Sequence, residues 1–261
     1  MKPLAAFPRA AAANIRGVLL DIDDTVSTEG RLTASAYTAL EALKSAGKIV
    51  VPVTGRPAGW CDHIARMWPV DGVVGENGAF YFSYDHVAKK MRQRFVADAP
   101  ERARRKIQLR EIGERILHEV PGTAWASDQG YREADIAIDF CEDVPPLPRA
   151  EVLRIATLME DAGLTAKISS IHVNGWFGGY DKLSTTRLAF QELFDIDLAK
   201  EKERFVFVGD SPNDAPMFGW FPYSVGVANV RDLIDLVATP PAFVTQSRCG
   251  EGFAELAALL S

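Results

Sequence analysis

Short apolar runs alternate with amphipathic segments over the first 84 residues of the chain. Ile15–Leu20 and Lys48–Val53 are short apolar runs, which predicts fully buried strands. Thr33–Lys44 and Pro57–Trp68 carry apolar residues at helical spacing, and a third strand begins at Val73. This strand–helix order predicts a parallel sheet with right-handed crossovers, that is, a doubly wound, Rossmann-like α/β core.

The middle of the chain has a different order of elements. Its strands are separated by helices without a parallel rhythm, which predicts a small α+β unit inserted into the first domain. The strands are expected at Arg92–Val96, Ile136–Phe140, Ala166–Ser169 and His172–Trp176, and the helices at Glu101–Glu119 and Arg149–Ala162. The α/β rhythm then resumes with a helix over Lys182–Phe194, the strand Phe205–Val208 and a helix over Gly252–Leu260. We therefore predict a catalytic core of residues 1–84 and 179–261 and a cap of residues 85–178.

Charge and cysteine content restrict the classes of partner and compartment. A formal net charge of −6 argues against nucleic acid as the main partner, although a local cation could still attract an anionic substrate. Three widely spaced cysteines favour a reducing, cytoplasmic compartment. No apolar run approaches the roughly 18 residues of a membrane helix, so no membrane contact is expected. Residues 1–17, interrupted by prolines, are expected to form a frayed arm.

Four polar motifs are expected at one edge of the predicted sheet. In chain order they are Asp21–Thr25 (DIDDT), Thr54–Arg56 (TGR), Lys182 and Gly209–Asp214 (GDSPND). Ligands of open α/β sheets bind at the carboxyl ends of the strands, where these motifs fall. Each motif alone is weak, since it is also consistent with a solvated turn or a surface charge, but their combination in this order is specific.

The acids of these motifs suit a hard divalent cation. Asp21 and Asp23 stand two residues apart on an extended segment, so both carboxylates can face one pocket. Carboxylates that are so close ionise together only when a cation neutralises them. Asp210 and Asp214 arrive from another strand end, and four oxygen donors without histidine or cysteine favour Mg²⁺.

The other motif residues are suited to bind a phosphate. Thr54 supplies a hydroxyl, and Gly55 lets a backbone N–H approach an anion without obstruction. Lys182 is a point cation that could balance the aspartates and bind phosphate. Asn213 could donate to a phosphate oxygen or hold Lys182 in place, although it could also be a simple turn residue.

The motifs DIDDT, VTGR, YDK and GDSPND, with a domain-sized insert between the second and third, resemble the haloacid dehalogenase superfamily of phosphohydrolases. The position of the insert and the segment ENGAFYF are similar to its Cof-like branch, which includes sugar-phosphate phosphatases. The resemblance covers roughly Ile15–Tyr84 and Tyr180–Leu260, and the cap matches in placement and element pattern alone. Asp24 stands where the commonest family motif has glycine, as it does in some sugar-phosphate phosphatases of the branch.

The resemblance implies catalytic roles for three residues and a phosphate-binding role for a fourth. Asp21 matches the nucleophile that attacks phosphorus. Asp23 matches the general acid that protonates the leaving oxygen and then acts as a base on water. Thr54 matches the phosphate-binding hydroxyl, and Lys182 matches the cation that bridges the nucleophile and the phosphate.

The resemblance also implies a Mg²⁺ site and an activity. Asp210 matches a direct ligand, Asp214 matches an acid that binds the metal either directly or through a neighbour, and the carboxylate of Asp21 and the backbone carbonyl of Asp23 complete the set. The implied activity is hydrolysis of a small phosphorylated metabolite, such as a sugar phosphate, through an aspartyl-phosphate, by a monomer or small homo-oligomer. A phosphomutase-type phosphotransferase is an alternative, and a non-catalytic phosphate-binding or receiver-like module is an alternative of another class.

Three cap residues are candidate substrate contacts. Arg132 and Glu133 precede the predicted strand at Ile136, and Asn174 lies near the return to the core. The guanidinium of Arg132 suits a carboxylate, a second phosphate or vicinal hydroxyls. The alternative is that Arg132 is a solvated surface residue.

Overall fold

The computed structural model describes residues 1–261, which form fifteen strands and nine α-helices. The strands are β1 (Lys2–Pro3), β2 (Gly17–Leu20), β3 (Ser27–Thr28), β4 (Arg31–Leu32), β5 (Ile49–Pro52), β6 (Val73–Gly75), β7 (Phe80–Asp85), β8 (Lys90–Phe95), β9 (Ala124–Trp125), β10 (Asp135–Asp139), β11 (Thr165–Ile168), β12 (His172–Trp176), β13 (Phe205–Gly209), β14 (Tyr223–Gly226) and β15 (Phe243–Val244). The helices are α1 (Arg9–Asn14), α2 (Ala34–Ser45), α3 (Ala58–Met67), α4 (Ala99–Glu119), α5 (Arg149–Asp161), α6 (Lys182–Phe194), α7 (Leu198–Glu201), α8 (Ala215–Trp220) and α9 (Cys249–Leu260).

The core is a parallel sheet covered by helices on both faces. Its strand order is β1-β15-β14-β13-β2-β5, and every neighbouring pair is parallel. Side chains alternate along a strand, so Val18 and Leu20 pack on the side of α2 and α9, while Leu19 packs on the side of α6 and α8. Both faces are therefore apolar, which explains the continuous apolar runs. The predicted doubly wound core is confirmed.

The third predicted strand, β6, does not continue the parallel sheet along its length. It joins the main sheet through one parallel bridge between Val53 and Val74 and then pairs with β7 in antiparallel orientation. β8 pairs along its length with β7, so this hairpin extends the sheet that β6 begins. Because β8 belongs to this sheet, we propose that the core continues to Phe95 and that the cap comprises residues 96–178, a shorter segment than the predicted 85–178.

The cap is a four-stranded antiparallel sheet with two helices on one face. Its strand order is β11-β12-β10-β9, and α4 and α5 pack against Ile136, Ile138 and Val173. The alternation of β-strands turns the intervening residues, among them His172 and Asn174, towards the core. One face of the cap sheet is thus apolar core and the other is polar and faces the motifs.

The prediction of a frayed N-terminal arm is wrong. β1 pairs with β15 at the edge of the main sheet, and the side chains of Leu4, Phe7 and Ala12 are buried in the core. The Phe7 ring packs against Tyr223 and Phe243. The prolines that interrupt a helix do not prevent edge pairing, and the apolar residues between them find a partner surface that is remote in sequence.

A short hairpin after the first motif was also not predicted. β3 and β4 are joined by Glu29 and Gly30, which both have positive φ, at 50° and 71°. Two consecutive left-handed residues make the tight turn that matches strand twist. None of the nine helices has the length and apolar composition that crossing a bilayer requires.

Candidate active site

The parallel topology brings the predicted motifs to one place. Asp21, Thr54 and Asp210 each follow a strand of the main sheet, β2, β5 and β13 respectively. Lys182 is the first residue of α6, whose start is set by a capping box between Asp181 and Ser184. The sheet edge and this helix start therefore hold the four motifs against one another.

Lys182 bridges two of the aspartates. Its Nζ lies 2.7 Å from Oδ1 of Asp21 and 2.7 Å from Oδ1 of Asp214, and all three residues are buried. Burial alone would lower the pKa of Lys182, but the charges of Asp21 and Asp214 outweigh it and raise the pKa above its ordinary value. Lys182 is therefore a permanent cation beside Asp21.

Three buried carboxylates surround this single lysine. Ligand atoms of Asp21, Asp210 and Asp214 lie within 4.8 Å of one another. Burial raises the pKa of Asp21 to about 8, and the neighbouring Asp214 and Asp23 act in the same direction against Lys182. Burial and the same crowding hold the pKa of Asp210 well above its ordinary value. Three carboxylates with one ammonium leave an excess of negative charge, which a divalent cation bound by oxygen donors would neutralise.

The oxygens of Asp214 are already engaged within the protein. Its Oδ1 accepts a hydrogen bond from Lys182, and its Oδ2 accepts from the backbone N–H groups of Asp210 at 3.1 Å and Ser211 at 3.3 Å. Asp210 accepts from Thr25 at 3.4 Å and from Asn229 at 3.2 Å. Asp214 thus orients both Lys182 and the loop that carries Asp210.

Asp23 is held apart from the three-acid cluster by an arginine. Nε of Arg56 donates to both oxygens of Asp23, at 2.9 and 3.0 Å. The same guanidinium donates to two cap acids, Asp128 at 3.0 Å and Glu142 at 2.6 Å. Arg56 belongs to the TGR motif, but the sequence predicts no role for it, whereas the structure makes it the link between Asp23 and the cap.

The cap closes over these residues and leaves a cavity of about 10 Å³. The core contributes Asp21, Asp23, Gly55, Arg56, Ser211 and Asn213 to its lining, and the cap contributes Arg132, Ser169, Ser170, Ile171, His172 and Asn174. A space of this size holds about one water molecule. Cap and core therefore enclose this cavity between them.

A family match covers the first third of the chain. Residues 18–103 match the family model of haloacid dehalogenase-like hydrolases, and this segment carries the DIDDT and TGR motifs. Over this segment the chain is similar to haloacid dehalogenase-like hydrolases. No curated protein sequence matches it significantly.

Solved structures share the fold of this chain over nearly its whole length. The C-terminal domain of trehalose-6-phosphate phosphatase from C. albicans is 14% identical with a TM-score of 0.68, and all of both chains is covered. Sucrose-phosphatase from Synechocystis is 16% identical with a TM-score of 0.63, covering 94% of this chain and 98% of that one. A phosphatase of the haloalkanoate (HAD) enzyme superfamily from Bacteroides thetaiotaomicron is 21% identical with a TM-score of 0.59, covering 98% and 97%. At these identities the likeness shows a common fold.

The predicted phosphate-binding residues lie side by side. Gly55 and Asn213 line the cavity, and the hydroxyl of Thr54 accepts a hydrogen bond from the backbone N–H of Arg56 at 3.0 Å. The side chain of Asn213 donates to Asn77 at 3.5 Å. The pattern Asn77-Gly78 predicts only a turn, although the ENGAFYF segment that contains Asn77 is part of the family resemblance.

The cap candidates have three different environments. Arg132 is 1% exposed, so the alternative of a solvated surface residue is wrong. Its guanidinium pairs with Asp128 and Asp135 and donates to the carbonyl of Gly55 at 2.9 Å, so its donors are engaged. Asn174 lines the cavity and donates to Asp135 at 3.2 Å. The side chain of Glu133 is 45% exposed and does not line the cavity.

Proposed function

We propose that this protein is a Mg²⁺-dependent phosphomonoesterase that forms an aspartyl-phosphate on Asp21. The main support is the position of the Asp21 carboxylate, which is buried and lines the cavity. It lies 2.7 Å from the ammonium of Lys182 and is clustered with Asp210 and Asp214. Phosphoryl transfer depends mainly on positioning and on neutralising charge, which this arrangement supplies. The phosphatases that share the fold support the same class of reaction.

The chain's own residues account for two successive displacements. An oxygen of Asp21 attacks phosphorus and the bond to the leaving oxygen breaks, with a proton from Asp23 going to that oxygen. Asp23 then takes a proton from a water that attacks the phosphorus, which releases inorganic phosphate and restores Asp21. Lys182 neutralises the phosphoryl oxygens throughout, and bound Mg²⁺, held by Asp21, Asp210 and the carbonyl of Asp23, would supply further charge neutralisation.

Arg56 suits one of these two steps better than the other. Its contacts with both oxygens of Asp23 hold this carboxylate in place as an acceptor, which suits its action as a base on water. The acid step requires a protonated Asp23 and therefore a weakened contact with Arg56. We propose that cap opening provides this change, because the other partners of Arg56, Asp128 and Glu142, belong to the cap.

The charges around the cavity favour a substrate whose only anionic group is the phosphate that is cleaved. Arg56 and Arg132 are each paired with more than one carboxylate, so neither is a free cation. Two larger grooves meet at Asp23, one of about 590 Å³ with Trp60, Trp68 and Tyr131 in its wall, and one of about 450 Å³ rich in carboxylates. Aromatic faces and hydrogen-bond acceptors suit a sugar phosphate. The fold relatives named for trehalose-6-phosphate and sucrose phosphate support this substrate class.

We also propose a cytoplasmic enzyme that acts on small molecules as a monomer or small homo-oligomer. Cys61, Cys141 and Cys249 are all free thiols in the structure, which fits a reducing compartment. The net charge of −6 supports a small-molecule substrate over a nucleic acid.

Replacement of the nucleophile tests the proposed function. With Mg²⁺ and p-nitrophenyl phosphate, followed by a panel of sugar phosphates, we expect Asp21→Asn to lose at least about a thousandfold in kcat. Asp62→Asn on the exposed side of α3 is the matched control and should keep full activity. Activity of Asp21→Asn within tenfold of wild type would contradict the proposal. A coupled assay with a bisphosphate activator separates hydrolysis from phosphomutase activity.

A further inference from the structure

Asn77 lies where the three predicted phosphate-binding residues meet. It belongs to the turn between β6 and β7 and is 1% exposed. Its backbone N–H donates to the carbonyl of Thr54 at 3.1 Å, and its Oδ1 accepts from Asn213 at 3.5 Å. A side-chain carbon on Gly55 would stand 3.2 Å from Nδ2 of Asn77. Asn77 therefore contacts Thr54, Gly55 and Asn213 together.

The amide donor of Asn77 has no partner in the protein. Nδ2 is buried and makes no hydrogen bond. Two other buried asparagines near the site differ, because Nδ2 of Asn174 donates to Asp135 and Nδ2 of Asn229 donates to Asp210. Buried donors without partners are rare in folded proteins, since such a group loses its bonds to water without replacement. A ligand oxygen would supply the missing acceptor.

The lack of a side chain at Gly55 leaves space beside this donor. Gly55 lines the cavity, and a Cβ at this position would press against both side-chain polar atoms of Asn77, at 3.2 Å from Nδ2 and 3.4 Å from Oδ1. Asn213, the other neighbour of the Asn77 amide, lines the same cavity. The unpartnered donor thus stands directly behind the cavity wall formed by these two residues.

The conformation of the turn does not depend on the unpartnered donor. Asn77 has φ 53° and ψ 25°, a left-handed conformation that asparagine tolerates better than most residues. Backbone bonds hold the turn: Glu76 donates to the carbonyl of Arg56, Asn77 to that of Thr54, and Ala79 to that of Gly75. A purely structural role would leave the orientation of Nδ2 unexplained.

We propose that Asn77 is a further phosphate-binding residue, whose Nδ2 donates a hydrogen bond to an oxygen of the phosphoryl group held beside Thr54, Gly55 and Asn213. This inference rests on the proposed function, since it takes the cavity to be a phosphate site. A neutral amide adds a donor without adding charge, so it complements the cation of Lys182 on another side of the same group.

Two substitutions at Asn77 separate the donor from the shape of the side chain. Asn77→Gly keeps the left-handed backbone and removes the amide, while Asn77→Asp keeps the shape and an acceptor for Asn213 but replaces the donor with a carboxylate oxygen. We expect the Kd of inorganic phosphate, measured by calorimetry at saturating Mg²⁺, to rise at least about tenfold in Asn77→Gly and further in Asn77→Asp. Asp195→Gly, at an exposed left-handed residue, is the control and should bind like wild type.

A double-mutant comparison excludes an indirect effect through Asn213. In the Asn213→Ala background, adding Asn77→Gly should weaken phosphate binding by a similar factor again, because a direct donor does not need Asn213. No additional loss would mean that Asn77 acts only through Asn213, and would overturn the inference. So would phosphate affinities within twofold of wild type for both single variants, with thermal unfolding showing that they are folded.

The binding measurement also separates this inference from the proposed function. A wild-type protein that binds phosphate but hydrolyses no ester contradicts the proposed phosphatase, and the Asn77 variants are still decided by their phosphate affinity. A wild-type protein that binds no phosphate in this cavity overturns the role of Asn77.

Discussion

Asp210 and Asp214 are both buried acids of the same loop, yet their hydrogen-bond partners differ, which suggests different roles. Asp214 has one oxygen on Lys182 and the other on two backbone N–H groups. Asp210 accepts from the neutral side chains of Thr25 and Asn229 at longer distances, 3.4 and 3.2 Å. We infer that Asp210 is the stronger candidate for direct metal binding and that Asp214 positions Lys182.

This difference predicts two distinct responses to Mg²⁺. We expect Asp210→Ala to raise the Mg²⁺ concentration for half-maximal hydrolysis of p-nitrophenyl phosphate by well over tenfold, because a ligand is lost. Asp214→Ala should shift the Mg²⁺ requirement less, and lower kcat because Lys182 loses an anchor. Magnesium titrations of both variants decide the point. Equal shifts in the Mg²⁺ requirement would contradict the assignment.

At the scale of elements, the turn between β6 and β7 packs against the start of α6. Gly78 has φ 108°, and a Cβ there would lie 2.1 Å from the carbonyl oxygen of Asp181, the residue that caps α6. The hydroxyl of Thr185 in the first turn of α6 donates to the carbonyl of Gly78 at 2.5 Å. This contact sets Asn77 and Lys182, one on each element, at fixed positions relative to each other.

A pair of glycine substitutions measures the contribution of this contact. Gly78→Ala should lower the free energy of unfolding by about 2 kcal/mol or more, because it adds a clash with backbone to an unfavourable φ. Gly47→Ala, at φ 73° with no atom within 4 Å of the added carbon, should cost only about 1 kcal/mol for the backbone conformation. Urea unfolding of both variants tests this. Similar losses for the two would show that the packing against α6 contributes little.

At the scale of the whole molecule, buried ion pairs connect cap and core. Arg56 of the core reaches Asp128 and Glu142 of the cap, and Arg132 of the cap reaches the carbonyl of Gly55. Glu76 of the core accepts from the backbone N–H groups of residues 133 and 134 at the cap's edge. A buried charge that loses its partner is strongly unfavourable. This network therefore favours the arrangement in which the cap rests on the core.

Glu142 makes part of this network sensitive to pH. Burial would raise the pKa of Glu142, but the ring of His172, whose Nε2 lies 2.8 Å from one carboxylate oxygen, and the guanidinium of Arg56 outweigh it and lower the pKa from an ordinary value of 4.5 to about 2. Because the folded pKa is depressed, the stabilisation is present above pH 4.5 and is lost as the pH falls from 4.5 towards 2.

We therefore expect Glu142→Gln to lower the melting temperature clearly near pH 6 and much less near pH 3, where wild type has lost part of the same stabilisation. Glu114→Gln, in an exposed pair with Arg110, is the control and should change the melting temperature little at either pH. Thermal unfolding at the two pH values provides the measurement. If the difference in melting temperature between wild type and Glu142→Gln were the same at both pH values, the depressed pKa of Glu142 would not be the source of the stabilisation.

Local pattern was sufficient for the buried strands that carry the motifs, for the main helices and for the position of the motifs. The apolar period of Ile15–Leu20 and Phe205–Val208 indicates buried strands, and parallel order then requires Asp21 and Asp210 to meet at one edge of the sheet. The helix predicted at Lys182–Phe194 has the observed bounds, since its capping residues are adjacent in sequence. The assigned roles of these residues stay predictions until the variants are measured.

Contacts between distant residues were decided by tertiary packing alone. Arg56 pairs with residues 72 and 86 positions away in the sequence, and the local periodicity of apolar residues contains no information about such long-range pairs. Arg132 looks like a surface residue in sequence but is buried because the cap sheet faces the core with its polar side. The N-terminal arm joins the sheet because its sparse apolar residues reach β15 at the far end of the chain. The sequence by itself determined which groups reach the sheet edge, because short-range periodicity encodes the strands. The packing of cap on core determined which of these groups are paired within the protein and which, like the amide of Asn77, keep a free donor for a ligand.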